Sequence, residues 1–575
     1  MKRLRLILVL VLLAVLAGAA WLWYAMPAAV DLANYAPADA LVYVEFDNLA
    51  DVARTIQHTD IWKAATPIVG RNGSAESGLF VTAARAGIGP IESVLFARTQ
   101  VALAVVGLNT SEQDDTLKVR PDLALIAETH TPRWRTKPVM VDAVRRLADF
   151  AYGASSCVGP DDDGDLFECS VAGTDRKLVG FIHGTRIILA NSDKALRSVL
   201  DVLGGIRPGM STNSEFLNSR ASVANEQSLA FGHISSGNSA KLFSWAAPLH
   251  MGLAPDNQQL QQLLAMSAGK ILRGISWTAV PAGGGIEDRY LFSLDPGFVE
   301  RLQPAFETSQ RDEQIWKLVP DSFETLTIYR SREPAVAWNS LDTAMSFKLD
   351  ALPAVLFGSL LKSSLLVYGI ENPKEALATL SPPLLTMKPS AGAEGSVLIA
   401  RVSDEARLRK ALQQQSADGP RPQLLEGLQA DPDPAKEFAA VFADGYVLLG
   451  KTENMRPCLD ELRKQQAASA AARADARKNV QDSARENTAA IVTYANDEER
   501  VMSFISTLLM LQGRSLSSEE LGKLQRTFGD SSFAETETRL SASGIERKTR
   551  SAFGQFSTLV GLLRQDSSNS VARQQ

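Results

Sequence analysis

The sequence predicts an α+β protein: two tandem copies of a mixed, largely antiparallel sheet domain with helices on one face, after one N-terminal transmembrane helix. Three observations carry this. An uncharged apolar run opens the chain. Landmarks of the first half return in the second at a nearly constant offset. Segments with the two-residue alternation of strands are separated by hairpin turns and short capped helices.

The chain starts Met1-Lys2-Arg3-Leu4-Arg5 and then runs apolar from Leu6 to Met26, closing on Trp21, Trp23 and Tyr24. A helix needs about 20 such residues to cross a bilayer. Basic residues before the run and aromatics after it place the N-terminus in the cytoplasm. Everything from about Asp31 onward is then expected outside it, tethered to a bacterial inner membrane in a single pass. Ala17-Gly18-Ala19 has the form of a signal-cleavage site. Cleaved apolar cores are typically about 7–15 residues long, whereas this one continues through Trp21-Leu22-Trp23-Tyr24, which favours retention. With no Cys near residue 20, a lipoprotein anchor is excluded.

Apolar residues make up 45% of the chain and charged residues 22%, as in folded soluble domains. At 575 residues the chain is too long for one core. The expected division is a stub and anchor over 1–30, a first repeat over 31–305, a second over 306–565 and a disordered tail over 566–575. The net charge of −6 is spread along the chain, with no basic stripe for nucleic acid. His58, His130, His183, His233 and His250 are scattered, without the close pairs of zinc enzymes. Cys157 and Cys169 flank a short acidic loop and, outside the cytoplasm, are expected to form a disulfide. Cys458 falls in a helical pattern and reads as a small buried side chain.

Five landmarks recur in the same order at an offset of about 260 residues, the mark of an internal duplication. Val94-Leu95-Phe96 is answered by Val355-Leu356-Phe357, and Val105-Val106-Gly107-Leu108 by Val367-Tyr368-Gly369-Ile370. Arg186 to Asp193 returns as Tyr446 to Glu453, Leu229-Ala230-Phe231 as Ile491-Val492-Thr493, and Gly285-Ile286-Glu287 as Gly544-Ile545-Glu546. The opening strands near Leu41 and Leu326 match less well.

Leu41 to Phe46 alternates as a strand, and Asp47 or Asn48 can cap a helix that puts Leu49, Val52 and Ile56 on one face. Gly184-Thr185 predicts a type II′ hairpin turn, and its counterpart Asp444-Gly445 a type I′ turn. Ser192 caps a helix bearing Leu196, Val199, Leu200 and Leu203, which Gly204-Gly205 stops; the matching helix carries Met455, Leu459 and Leu462. Each half closes with a hairpin, Ile275 to Val280 with Ile286 to Leu294 and Glu535 to Leu540 with Ile545 to Phe553. A last helix uses Phe556, Leu559, Val560 and Leu563.

Ala351 to Ile370 is apolar enough to suggest a second membrane span, but it contains Pro353 and Lys362. A charge at the bilayer centre costs at least about 2.5–3.5 kcal/mol, so core helix plus strand is the expectation. Gln465 to Ala490 is Ala-rich and charged, and reads as an exposed helix or helical linker.

Together these features resemble an uncharacterised bacterial envelope family. Its members carry an N-terminal membrane segment, a motif like Pro37-Ala38-Asp39-Ala40-Leu41-Val42-Tyr43-Val44-Glu45, and a hairpin like Asp444-Gly445-Tyr446-Val447-Leu448-Leu449-Gly450. The resemblance spans most of the ectodomain and implies a tethered, duplicated α+β body with no assigned catalytic residues. The second half departs from the opening motif, with Pro320-Asp321-Ser322-Phe323 before its first strand.

Several motifs carry chemistry only on paper. Gly445 to Thr452 satisfies the P-loop pattern GxxxxGK[ST]. A P-loop must be a glycine-rich turn whose N–H groups wrap phosphate, and Tyr446-Val447-Leu448-Leu449 reads as a strand, so no nucleotide is expected. Asp161, Asp163 and Asp165 alternate as calcium ligands do, but Glu168 comes too early for an EF-hand. Ser267 to Lys270 and Ser359 to Lys362 match SxxK without the KTG and SDN elements that chemistry needs. Trp62, Trp134, Trp245, Trp277, Trp316 and Trp338 read as core or interface anchors, with a binding groove as the other reading.

No catalytic or cofactor-binding constellation emerges, and no cofactor is expected. The expectation is a membrane-tethered periplasmic binding or scaffolding protein, with an envelope protein as partner and the cleft between the copies as the site. A periplasmic hydrolase of cell-wall material and a calcium-stabilised structural module are the alternatives.

Overall fold

The computed structural model describes residues 29–69, 99–113, 116–130, 137, 145, 156–158, 165–171, 176–240, 242, 266–309, 312–414, 419–467, 475–511, 515–528 and 533–559. The N-terminal apolar run lies outside them, as do Val94-Leu95-Phe96, Asp161, Asp163, Trp134, Trp245 and the tail. Among the described residues no helix is long and apolar enough to cross a membrane.

The fold is mixed α+β, with nineteen strands in one sheet among the described residues. The first half contributes β1 (Val42–Phe46), β2 (Gln100–Gln113), β3 (Thr116–Glu128), β4 (Ser156–Val158), β5 (Leu166–Ser170), β6 (Lys177–His183), β7 (Arg186–Ala190), β8 (Ala230–Ser235), β9 (Leu272–Ala282) and β10 (Gly285–Leu294). Its helices are α1 (Leu49–His58), α2 (Asp60–Val69), α3 (Asp193–Leu203), α4 (Ser214–Val223) and α5 (Pro296–Leu302). The second half has β11 (Thr325–Tyr329), β12 (Leu380–Lys388), β13 (Val397–Val402), β14 (Gln423–Glu426), β15 (Phe438–Ala443), β16 (Tyr446–Lys451), β17 (Ile491–Asn496), β18 (Phe533–Ser541) and β19 (Gly544–Ser551). Its helices are α6 (Pro334–Lys348), α7 (Ala351–Leu366), α8 (Pro373–Leu377), α9 (Glu405–Gln413), α10 (Thr452–Ala467), α11 (Asp475–Glu486), α12 (Glu498–Leu511) and α13 (Ser518–Phe528).

Pairing runs β4-β5-β6-β7-β3-β2-β1-β8-β9-β10 in the first half. It runs β14-β15-β16-β13-β12-β11-β17-β18-β19 in the second. β10 and β19 pair antiparallel, with Arg289 opposite Lys548, and join the two into one sheet. The described pairings are antiparallel except β14–β15.

Local chemistry sets the elements. Asn48 caps α1 by accepting from the Ala50 N–H, and Ser192 caps α3 by accepting from Ala195. Gly184 has φ 63° at the β6–β7 turn, while Asp444 (φ 51°) and Gly445 (φ 80°) form the doubly left-handed β15–β16 turn.

The expectation of helices on one face needs correction. In β16, Tyr446 and Leu448 pack with Met455, Leu459 and Leu462 of α10 and Val480 and Ala484 of α11. Val447 and Leu449 face the other way, onto Leu408 and Leu412 of α9 and Leu377 of α8. Both faces of this sheet are therefore covered, which is why β15 and β16 are buried almost throughout. Val480 and Ala484 also make α11 a core helix rather than an exposed linker.

Packing crosses residue 305 as well. Val52, Ile56 and Trp62 of α1–α2 share a core with Val501, Phe504 and Ile505 of α12 and Phe528 of α13. Ala351 to Ile370 corrects a second expectation. It is a helix, but none of the α7 residues is buried, and Val367 to Ile370 forms a turn at Gly369 (φ 76°), not a strand.

Candidate functional site

A partly buried ionisable cluster lies around residues 30–45, where Val30 and Asp31 join the first-half sheet. Val30 is held at both backbone groups by Gln100 of β2: its N–H donates to Oε1 (2.8 Å) and its carbonyl accepts from Nε2 (3.0 Å). Asp31 caps the next turn by accepting from the Ala33 N–H at 3.1 Å. Leu32, Ala33 and Ala36 then enter the first-half core.

Arg220, on α4, reaches down to Asp31 (3.0 Å) and to Glu45 of β1 (2.9 Å). The Tyr43 hydroxyl donates to the second Glu45 oxygen at 2.7 Å. Glu45 is 4% exposed. Burial pushes its carboxyl up to about 7, with Arg220 and the Tyr43 hydrogen bond opposing. The Tyr43 hydroxyl is pushed well above its usual range, by burial first and by the Glu45 charge second.

Cross-strand pairing sets His233 of β8 beside Tyr43, and Ser276 of β9 beside His233. The Phe216 ring of α4 stands edge-on to both Tyr43 (5.5 Å) and His233 (5.6 Å). Burial lowers His233 to about 4, so the ring is neutral at neutral pH. Among the described residues, neither ring nitrogen nor the Ser276 hydroxyl has a hydrogen-bond partner. No Ser–His or His–carboxylate relay therefore forms here, and the group that binds a proton near neutrality is Glu45.

The same place in the second half's strand order is built differently. Leu326 and Ile328 of β11 stand where Tyr43 and Glu45 stand in β1, and Tyr494 and Glu535 where His233 and Ser276 stand. Tyr494 donates to Glu535 (3.2 Å), as does Asn487 (2.9 Å). Arg330, 7% exposed, donates to the carbonyls of Ala484 and Asn487.

The expected cleft between the halves is filled by the continuous sheet and by the core shared by α1, α2, α12 and α13. Two hollows lie among the described residues of the second half. One, about 20 Å³, is bounded by Trp316, Ile328, Arg330 and Arg485 and has room for about one water. The other, about 290 Å³, is lined by Thr325, Thr386, Lys388, Glu394 and Ser396.

The sequence candidates fall as follows. Cys157 and Cys169 are disulfide-bonded and pair across β4 and β5. Asp165 sits at the start of β5, where its carbonyl accepts from Ile182. Among the described residues no cluster of His, Cys, Asp or Glu is arranged to hold a metal. The P-loop pattern is strand β16 followed by α10, with Lys451 paired to Glu453 at 3.9 Å. Lys270 pairs with Asp350 at 2.7 Å, while Ser359 and Lys362 are exposed on α7. Trp62 and Trp316 are buried, and Trp277 and Trp338 half-buried. Cys458 is buried, and burial pushes its thiol up to about 12.

Asp31, Glu45, Arg220 and Ser276 escaped the sequence reading. One signal was available for Glu45: it alternates with Tyr43 on a single strand face. No protein-family model, curated protein or solved structure matches this chain.

Proposed function

We propose that this chain is a membrane-tethered, extracytoplasmic binding or scaffolding protein whose body consists of two copies of one α+β domain. The observation that carries the duplication is the strand order, which matches on either side of the β10–β19 junction outward as far as β7–β6 and β16–β15; β4 has no counterpart, and β14–β15 is parallel where β5–β6 is antiparallel. The recurring segments support it. Arg186 to Asp193 and Tyr446 to Glu453 occupy matching strands and helix starts, Leu229 to Phe231 and Ile491 to Thr493 fall on matching strands one residue out of register, and Gly285 and Gly544 each open a closing strand. Val105 to Leu108 does not align with Val367 to Ile370: the strand in the place of β2 is β12. The junction register also fits. Ile286 faces Ser551 and Phe292 faces Ile545, so each copy contributes the same pair of positions, as at an isologous two-fold contact.

The tether rests on the apolar run Leu6 to Met26 and on the firm seating of Val30 and Asp31 directly after it. The Cys157–Cys169 bond suits an oxidising compartment. The continuous sheet and shared core between the halves, and His233 without a hydrogen-bond partner among the described residues, favour binding or scaffolding over hydrolysis. Crosslinking in cells followed by pull-down of the full chain tests this. A stable envelope partner is expected; recovery of none, with turnover of a cell-wall fragment by the purified chain, would overturn it.

A further inference from the structure

The larger hollow of the second half has a lining that the fold alone does not require. It lies on one face of the sheet over β11 and β12, where Thr325 stands directly opposite Lys388 and Thr386 is two residues back along β12. Ser396, just before β13, and the exposed Glu394 complete its polar wall. Its volume of about 290 Å³ stands at the small end of the roughly 300–1,000 Å³ of ligand pockets.

The same places in the first half are apolar. Tyr43 and Ala104 pair across β1 and β2 where Leu326 and Met387 pair across β11 and β12. In that register Val42 stands in the place of Thr325, Leu103 in that of Thr386 and Val105 in that of Lys388. Ala104 pairs with Ala124 as Met387 pairs with Val397, which sets Leu123 in the place of Ser396. Both sets of residues are half-buried. Exposure therefore does not account for the exchange of four aliphatic side chains for three hydroxyls and an ammonium, whose partial burial must be offset by hydrogen bonds.

The polar atoms are set to donate. Among the described residues no carboxylate pairs with the Lys388 ammonium. The Ser396 hydroxyl lies 2.8 Å from that of Tyr368, which is 8% exposed. Burial raises Tyr368 above its usual range and keeps it protonated, so it can donate to Ser396 and leave the Ser396 proton for the hollow. A group that meets Lys388 and Ser396 must bring acceptors and negative charge. Glu394 at the mouth repels a dianion more than a single carboxylate.

We propose that this hollow binds a small carboxylate-bearing ligand, its carboxylate held by Lys388 with the Ser396 and Thr325 hydroxyls. The site deepens the binding reading given above and rests on it, and the contrast between halves rests on the duplication.

Titration of ¹³C-labelled acetate against the full chain in detergent micelles, read by the carboxyl line width, tests it. Saturable broadening is expected. Lys388→Val and Thr325→Val install the residues that the first half carries at these places, so the sheet is expected to fold. Lys388→Val should weaken acetate binding about tenfold or more, and Thr325→Val by a smaller factor. Lys317→Met, at an exposed position away from the hollow, should change nothing. If Lys388→Val lowers the melting temperature, Lys388→Gln carries the same expectation. Undiminished binding by a folded Lys388 variant would overturn the proposal. So would the lack of saturable acetate binding, or displacement of acetate by inorganic phosphate at a lower concentration than acetate itself requires. Acetate binding without an envelope partner in the crosslinking experiment would keep this site and remove the scaffolding reading; a captured partner without acetate binding would do the reverse.

Discussion

Arg220 and Glu45 form an ion pair of 2.9 Å beneath α4, and the same guanidinium holds Asp31 at 3.0 Å. One side chain therefore fastens the chain's point of entry to the centre of the first-half sheet. Asp31 and Arg220 are 189 residues apart in sequence.

Arg220→Met is expected to destabilise the body by about 3 kcal/mol, because it leaves a buried carboxylate without its cation. Glu45→Gln in the same background should recover much of that loss. Urea unfolding of both variants checks this; equal stability of the single and double variants would contradict it.

Asp288 gives a pH signature. It is 1% exposed and accepts from the Trp277 indole at 2.8 Å and the Gln555 N–H at 3.0 Å. Burial raises it from an ordinary 3.8 to about 7, and burial also raises its neighbour Asp497 to about 6. The folded state thus holds protons that the unfolded chain releases. The resulting stability is complete below pH ~4 and is lost as pH rises through ~7, by at most about 4 kcal/mol for Asp288. Asp288→Asn should flatten this fall when urea midpoints are compared at pH 4.5 and 7.5; an unchanged fall would exclude Asp288 as its source.

Reducing the Cys157–Cys169 bond, 12 residues apart, is expected to cost about 2–3 kcal/mol by freeing the unfolded chain. The loss should appear as a lower urea midpoint with dithiothreitol, and Cys157→Ser should show it without reductant.

At the junction, Glu287 accepts from Arg289 (2.6 Å) and from Arg550 of the other half (2.8 Å). Burial pushes its carboxyl up, but these two hydrogen bonds outweigh that and hold it below its usual range. A double-mutant cycle on Glu287→Ala and Arg550→Ala should give a coupling of about 1 kcal/mol, since the arginine is partly exposed. Additive effects would mean the pair contributes nothing to joining the halves.

Local signals in the sequence translated directly into structure. Asn48 and Ser192 cap the helices expected of them, and Gly184 and Asp444-Gly445 turn the expected hairpins. Relationships across the sheet did not translate. In β1 the alternation Val42, Val44, Phe46 against Tyr43, Glu45 suggests that the polar pair faces solvent. Instead Tyr43 and Glu45 are buried and Val42, Val44 and Phe46 only half-buried, because Arg220 arrives from α4 to compensate the charge. That compensation depends on the fold and leaves no local trace. The same holds for α7, whose apolar composition resembles a core helix yet stands open among the described residues.

The most direct test of the tethered, extracytoplasmic body is protease digestion of bacterial spheroplasts expressing the full chain with a C-terminal epitope. The account expects the chain in the membrane fraction and its epitope lost when protease is added outside intact spheroplasts. An epitope protected until the membrane is lysed, or a chain recovered in the cytosolic fraction, would contradict it.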